Sequence, residues 1–309
     1  MFEMSNKTGV AIIFFNRPSY VEKVFKAVAM VKPKNLFLIQ DGCRNEKDEE
    51  KVQQCRQIVD QINWDCNVYR NYSNANLGCG KRMYTGISWV FEHIERAIIL
   101  EDDCVPNIDF FRFCEEMLDR YESDKRILMV SGLNLFEKDY NDYDYFYAIN
   151  GPIWGWATWK RAWSMYDYTV DKINNLEIEK AIYRMEPKSV AKKDIKQWKA
   201  TNQKAVKGEK LSFWAHQWRL VKFIENNLCI IPKVNLISNI GDDEATHPGK
   251  GFCEFHHRAA RKIEFPLKHP NCILANYEYD DIYYKEMCPS RVQRLKKRLL
   301  GIFKCKKKK

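Results

Sequence analysis

Residues 10–15 (VAIIFF) form an unbroken apolar run, the pattern of a strand buried on both faces of a parallel sheet. Arg17-Pro18-Ser19 follows, and proline suits the first turn of a helix. Val21, Val24, Phe25 and Val28 then recur at helical spacing. Residues 36–39 (LFLI) predict a second strand, ending at Asp41-Gly42. Val52, Cys55, Ile58, Val59 and Ile62 mark a second amphipathic helix, and residues 66–69 fit a short third strand. The loop 76–80 (NLGCG) opens a helix predicted to run to about residue 96. Residues 97–100 (AIIL) make a fourth strand that stops at Glu101-Asp102-Asp103. A helix over about 109–121 and a fifth strand at 127–130 (ILMV) complete the series.

Strands and helices alternating at this rhythm predict an α/β fold with a doubly wound, mostly parallel, Rossmann-like sheet. Ligands of such sheets gather outside the carboxyl ends of the strands. That singles out Asn16-Arg17, Asp41-Gly42 and the acidic triplet at 101–103. The second half is less regular. It holds an aromatic block at 153–159 (IWGWATW), a helical stretch over about 176–207 and a helix near 212–226. Short strands are predicted at 228–231 and 234–237, with a polar loop at 241–251. There is no fixed-period repeat and no Gly/Ser linker, so residues 1–255 are expected to form one domain. Its regular half covers about 9–131 and its less regular half about 132–255, with an extension at 256–290 and a basic tail at 291–309.

Composition changes this picture mainly at the C-terminal end. The chain has 309 residues, 45% of them hydrophobic, enough for a large core. Its formal net charge of +10 is concentrated: residues 291–309 hold ten Lys and Arg and no acid, and the 41 remaining basic residues balance 41 acidic ones. A nucleic-acid-binding surface spread over the fold is therefore not indicated. In the tail, Val292, Leu295, Leu299, Ile302 and Phe303 form an apolar stripe between basic residues. Such a helix is expected to lie in an anionic membrane surface, the bland alternative being a solvated basic tail. The polar start of the chain, the absence of an apolar run of spanning length and 11 cysteines without metal-type spacing predict a cytoplasmic protein attached peripherally to the inner face of the plasma membrane.

Five groups of residues could carry chemistry. Three adjacent carboxylates at a strand end repel one another, and a divalent cation, Mn2+ or Mg2+, resolves the repulsion while bridging to a diphosphate. A solvated acidic turn is the plain alternative. The loop around Gly78, with Lys81 and Arg82 following, can bring backbone and cationic donors to a phosphate, or be an ordinary helix cap. Asp41 can accept from a base or ribose, or simply form an Asp-Gly turn. Trp154, Trp156 and Trp159 flank Gly155, where aromatic faces could meet a sugar ring, although at least one tryptophan is expected to be core. The fifth group is Trp214 with His216, and His247 in the polar loop, which suits a lid or a metal ligand.

Together, the runs VAIIFFNRP, LFLIQDG, AIILEDDCVPNIDFFRFCEEML, VSG and GPIWGWATWKRAW resemble the GT-A-fold nucleotide-diphospho-sugar glycosyltransferases over about residues 9–250. The chain is similar to a bacterial group called haemolytic protein-like and to the animal alpha-mannoside beta-1,2-N-acetylglucosaminyltransferases. The resemblance implies an inverting transfer from a UDP-type nucleotide-sugar donor with Mn2+ or Mg2+, and makes 1–255 the catalytic domain, with 9–131 its nucleotide-binding half and 132–255 its acceptor half. The membrane-seeking tail fits a glycan or lipid-linked acceptor, as in surface-polysaccharide synthesis. The resemblance also makes Asp103 the metal ligand, gives Glu101 and Asp102 ribose or sugar contacts, and puts Asn16, Arg17, Asp41 and Arg82 at the nucleotide and His247 in the covering loop. In the animal enzymes an Asp that serves as the catalytic base stands where this chain has Ala215. His216, or Asp242, Asp243 or Glu244 from the lid, is the expected substitute, since neutral imidazole suits general-base work near pH 7.

Two other classes compete. A sugar nucleotidylyltransferase shares the sheet type but needs a Gly-rich phosphate loop after the first strand, where this chain has NRPSY. A non-catalytic carbohydrate-binding or membrane-active protein would use the tryptophans and the tail, but leaves the strand-end triplet without a role.

Overall fold

The computed structural model describes residues 3–241 and 255–288. The predicted alternation is present: β1 (Thr8–Phe14), α1 (Pro18–Val31), β2 (Asn35–Gln40), α2 (Glu49–Val59), β3 (Asn67–Tyr72), α3 (Cys79–His93) and β4 (Arg96–Glu101). β5 (Cys104–Pro106), α4 (Ile108–Arg120), β6 (Ile127–Ser131), β7 (Tyr145–Ala148), β8 (Trp156–Trp159) and the short α5 (Lys160–Trp163) follow. α6 (Leu176–Met185), α7 (Lys188–Val206), α8 (Ala215–Ile224), β9 (Leu228–Pro232), β10 (Ile237–Asn239) and α9 (Tyr277–Met287) complete the described chain.

Eight strands form one sheet in the order β3-β2-β1-β4-β8-β6-β9-β7. β1, β2, β3 and β4 are parallel, as are β6 and β9, whereas β8 runs antiparallel to β4 and β6, and β7 antiparallel to β9. The sheet is thus mixed and mostly parallel, with an α/β, Rossmann-like layering. Alternate strand residues feed opposite faces. Val10, Ile12, Leu36, Leu38, Ile98 and Leu100 join the core under α1, α2 and α4. Ala11, Ile13, Phe37, Ile39, Ala97 and Ile99 join the core under α3 and α8. Burial on both faces explains why these strands read as continuous apolar runs.

Three expectations are corrected. The aromatic block holds a central strand: β8 sits between β4 and β6, so residues from both halves of the chain share one sheet. Trp156 of β8 points into one core and Trp159 into the other. The helical stretch 176–207 is two helices, broken where Pro187 forces Glu186 into an extended conformation (φ −125°, ψ 156°). The strand predicted at 234–237 is confined to Ile237–Asn239, where β10 pairs antiparallel with β5 in a separate ribbon. The extension at 256–288 caps the far sheet edge. Asn276 donates its N–H to Tyr147 O at 2.7 Å, and Asp280 accepts the N–H groups of Ile149 and Asn150 at 3.0 and 2.9 Å. No helix among the described residues is long and apolar enough to cross a membrane.

Candidate active site at the sheet switch point

From β1 the chain steps outward to β2 and β3, then returns to place β4 on the other side of β1. The carboxyl ends of β1 and β4 therefore flank the switch point, where such sheets open a crevice. Ile13 lies opposite Glu101 in the parallel register, so the turns that follow emerge side by side.

The first turn supplies Arg17. Its Nε donates to Asp102 Oδ2 at 3.2 Å, and its Nη2 donates to Asp103 Oδ2 at 3.0 Å and closely to Asp102 Oδ1. The guanidinium also stands 5.0 Å from the centre of the Tyr20 ring. One cation thus faces three carboxylates, of which Asp102 is buried and Glu101 and Asp103 are part-buried. Burial, then the charges of Asp103 and Asp102, push the Glu101 carboxyl above the usual range. Burial also raises Asp102, against the pull of Arg17. Burial disfavours the Arg17 charge, but Asp102 and Asp103 outweigh it and hold the guanidinium protonated above its ordinary value. Asp102 and Asp103 thus share a single guanidinium.

A second approach comes from the β5–β10 ribbon, which sequence reasoning did not connect to the triplet. Ile240 donates its N–H to Asp103 O at 2.9 Å. A Cβ on Gly241 would lie 2.4 Å from Asp103 Oδ2, so any larger residue there would displace the carboxylate. Asp242 and Asp243 come next in sequence. They, Glu244 and His247 lie outside the described residues.

The loop 76–78 and α3 form the third wall. Asp41 accepts from the N–H groups of Leu77 and Gly78 at 2.8 and 2.9 Å, and from Asn76 Nδ2 at 3.2 Å. Its carboxylate is therefore the clamp that shapes this loop, rather than a free nucleotide contact. Gly78 adopts a positive φ of 79° with open space where a Cβ would be. Burial, followed by Glu101, Asp102, Asp103 and Asp41, pushes the Cys79 thiol up to about 12. The first turn of α3, the positive end of its dipole, follows directly on the loop that Asp41 clamps. A Cβ on Gly80 would lie 2.1 Å from Leu211 O and 2.9 Å from Phe213 O. Gly80→Ala is expected to cost about 1–3 kcal/mol in a urea melt, because backbone carbonyls cannot yield as a side chain can. Unchanged or increased stability would show that residues 211–213 do not pack on this turn.

Several predicted contacts sit elsewhere. Arg82 is buried and donates to Asn71 O and, at 2.9 Å, to Asn71 Oδ1, tying α3 to the end of β3. Lys81 is exposed at the rim. Asn16 donates to Asp48 Oδ1 at 2.6 Å, and hydrogen bonds from Arg44 help hold the Asp48 carboxyl at about 2. Sequence reasoning missed Asp48 and Arg44, which lie in an unremarkable charged stretch. Trp156 is fully buried and stacks on buried Trp214 at 5.6 Å, so neither offers a ring face to a sugar. Gly155 (φ 63°) leaves room for Ile237, whose Cδ1 would be 2.5 Å from a Cβ, rather than for a ligand. Trp154 is part-buried and meets the His256 ring edge-on at 4.9 Å.

His216 is likewise corrected as the general base. Its ring stacks on Trp198 at 4.6 Å and its Nε2 lies 3.7 Å from Asp194 Oδ1, between α7 and α8. Burial holds its pKa below the ordinary imidazole value, and neither ring nitrogen makes a hydrogen bond. Both ring nitrogens are buried in this arrangement, so the ring presents no base to an acceptor hydroxyl here.

No family model matches the chain. Curated proteins give no match either. Among solved structures, the chain is similar to the galactosyltransferase LgtC with donor and acceptor sugar analogues, at 10% identity, TM-score 0.34 and 70% coverage of each chain. It is similar to a 4-diphosphocytidyl-2C-methyl-D-erythritol synthase from Anaerococcus prevotii at 15% identity and TM-score 0.33, covering 52% of this chain and 76% of that one. It is also similar to a UDP-glucose pyrophosphorylase from Acinetobacter baumanii at 10% identity and TM-score 0.31, covering 50% and 76%.

A divalent cation suits this donor set. No three carboxylate, imidazole or thiol groups among the described residues converge as a ready-made metal cage. Mg2+ and Mn2+, however, commonly use one or two carboxylates and complete their shell with water and substrate phosphates. Asp102 and Asp103 share one guanidinium, which leaves carboxylate oxygens for such a cation.

Proposed function

We propose that the chain is a metal-dependent glycosyltransferase that moves a sugar from a nucleotide diphosphate, of UDP type, to a hydroxyl of a glycan or lipid-linked acceptor. The observation that carries this reading is the acidic triplet at the switch point, where Asp102 and Asp103 share the single guanidinium of Arg17. Asp103, with Glu101 beside it, would hold Mn2+ or Mg2+, which when bound neutralises charge on the departing diphosphate. Arg17 anchors Asp102 and supplies a guanidinium for phosphate oxygens. The α3 turn favours the same anion, and exposed Lys81 adds a cation at the rim.

With His216 enclosed, Asp242 and Asp243 become the proposed bases for an inverting attack, because they directly follow the glycine packed on Asp103. His247 is kept as a metal or donor contact from the same segment. We assign the reaction to surface-polysaccharide synthesis at the inner face of the plasma membrane, with the basic 291–309 segment attached to anionic lipid. That segment lies outside the described residues.

A panel of nucleotide sugars with Mn2+, analysed by product, tests the reading. Release of the nucleoside diphosphate and free sugar in the absence of acceptor is expected. Formation of nucleoside triphosphate and sugar 1-phosphate only when pyrophosphate is added would make the chain a nucleotidylyltransferase instead.

A further inference from the structure

Outside its last nineteen residues the chain has as many basic as acidic residues, yet α7 concentrates one sign of charge. It carries Lys188, Lys192, Lys193, Lys196, Lys199 and Lys204, and its only acid is Asp194. Asp194 is buried and bonded to Arg219. At 3.6 residues per turn the six lysines fall within about 160° of the helix circumference. Val190, Ala191, Asp194, Ile195, Trp198 and Asn202 are buried on the opposite side. Five of the lysines are exposed, and Lys199, 41% exposed, meets Glu179 of α6 at the margin. The result is a single-sign face about 24 Å long.

The face chooses among polyanions. Its cations are all lysine, whereas nucleic-acid grooves favour the arginine fork and stacking aromatics. The one aromatic of α7, Trp198, is buried. Apolar side chains do stand out around it: Val206, 76% exposed, lies at the helical angle of Lys188, and on the neighbouring α6 Leu176 is 67% and Tyr183 41% exposed. Point charges on flexible stems with a few protruding apolar groups suit a headgroup layer. We infer that the lysine face of α7 docks the folded domain on an anionic lipid bilayer, separately from the 291–309 segment and independently of the proposed chemistry.

Sedimentation of the full-length chain with phosphatidylglycerol/phosphatidylcholine vesicles tests this. Each lysine removed near an anionic surface is expected to weaken partitioning roughly fivefold. Lys188→Gln/Lys192→Gln/Lys193→Gln/Lys196→Gln should therefore lose about 10²–10³-fold, with an unchanged melting curve. The same four positions changed to Arg should retain binding. Lys7→Gln/Lys23→Gln/Lys47→Gln/Lys125→Gln, equal in net charge, should lose less than about fivefold on the same scale. Wild-type binding by the α7 glutamine variant, or an equal loss in the control variant, would overturn the inference. Capture of the wild type by a DNA duplex at physiological salt, lost in the α7 variant while vesicle binding persists, would assign the face to nucleic acid and overturn it too.

Discussion

Asp103→Asn is expected to lower sugar transfer by on the order of 10²–10³-fold, the scale seen when one preorganised charge-stabilising group is removed from a transition state. The change keeps the side-chain volume. It also leaves the two hydrogen bonds from Arg17 to Asp102 in place, so the fold should be retained. What is lost is the anionic oxygen that Gly241 and Arg17 approach from opposite elements. The loss should appear as weakened Mn2+-dependent binding of the nucleotide, with binding in the absence of metal little changed. Turnover within a few-fold of wild type would remove Asp103 from the site.

The second large effect concerns Arg17. Its guanidinium is the counter-charge for two carboxylates whose side chains are 6% and 16% exposed. Arg17→Gln leaves them unpaired, and breaking a buried pair from one side costs about 3–5 kcal/mol. The sign of the pH dependence follows from Glu101 and Asp102, whose pKa values are raised in the folded state. Between the ordinary carboxylate value, about 4, and the raised values, the folded protein binds more protons than the unfolded one. This triplet therefore lowers stability as pH rises through that window, and removing Arg17 steepens the fall. The deficit of Arg17→Gln in urea melts should be larger at pH 8 than at pH 5, and Mn2+ should recover part of it at pH 8. A deficit independent of pH and metal would mean that Arg17 acts by packing on Tyr20 instead.

What was legible in the chain was what local pattern encodes. β1, β2 and β4 are buried on both faces, so their apolar runs are uninterrupted, and the residues after them could be placed before any contact was known. Contacts between distant segments left no such mark. Nothing in WGWATW distinguishes a sugar platform from a strand wedged between β4 and β6, because both need aromatics and a glycine. His216 has the same neighbours in sequence whether it faces solvent or Trp198, and only the packing of α7 on α8 decides. Asp41 looks like a ligand-binding strand end until the Leu77 and Gly78 amides, more than thirty residues away, are seen to occupy it. The role of Gly241 depends on pairing between β5 and β10, two three-residue strands too short to announce themselves.

Calorimetric titration of UDP into the full-length protein, with and without Mn2+, bears most directly on the carboxylates at the switch point. Saturable binding that tightens at least about tenfold, or 1.4 kcal/mol, when Mn2+ is present is the expected result. The gain should disappear in Asp103→Asn. Equal affinity with and without the metal, or no UDP binding under either condition, would contradict the account.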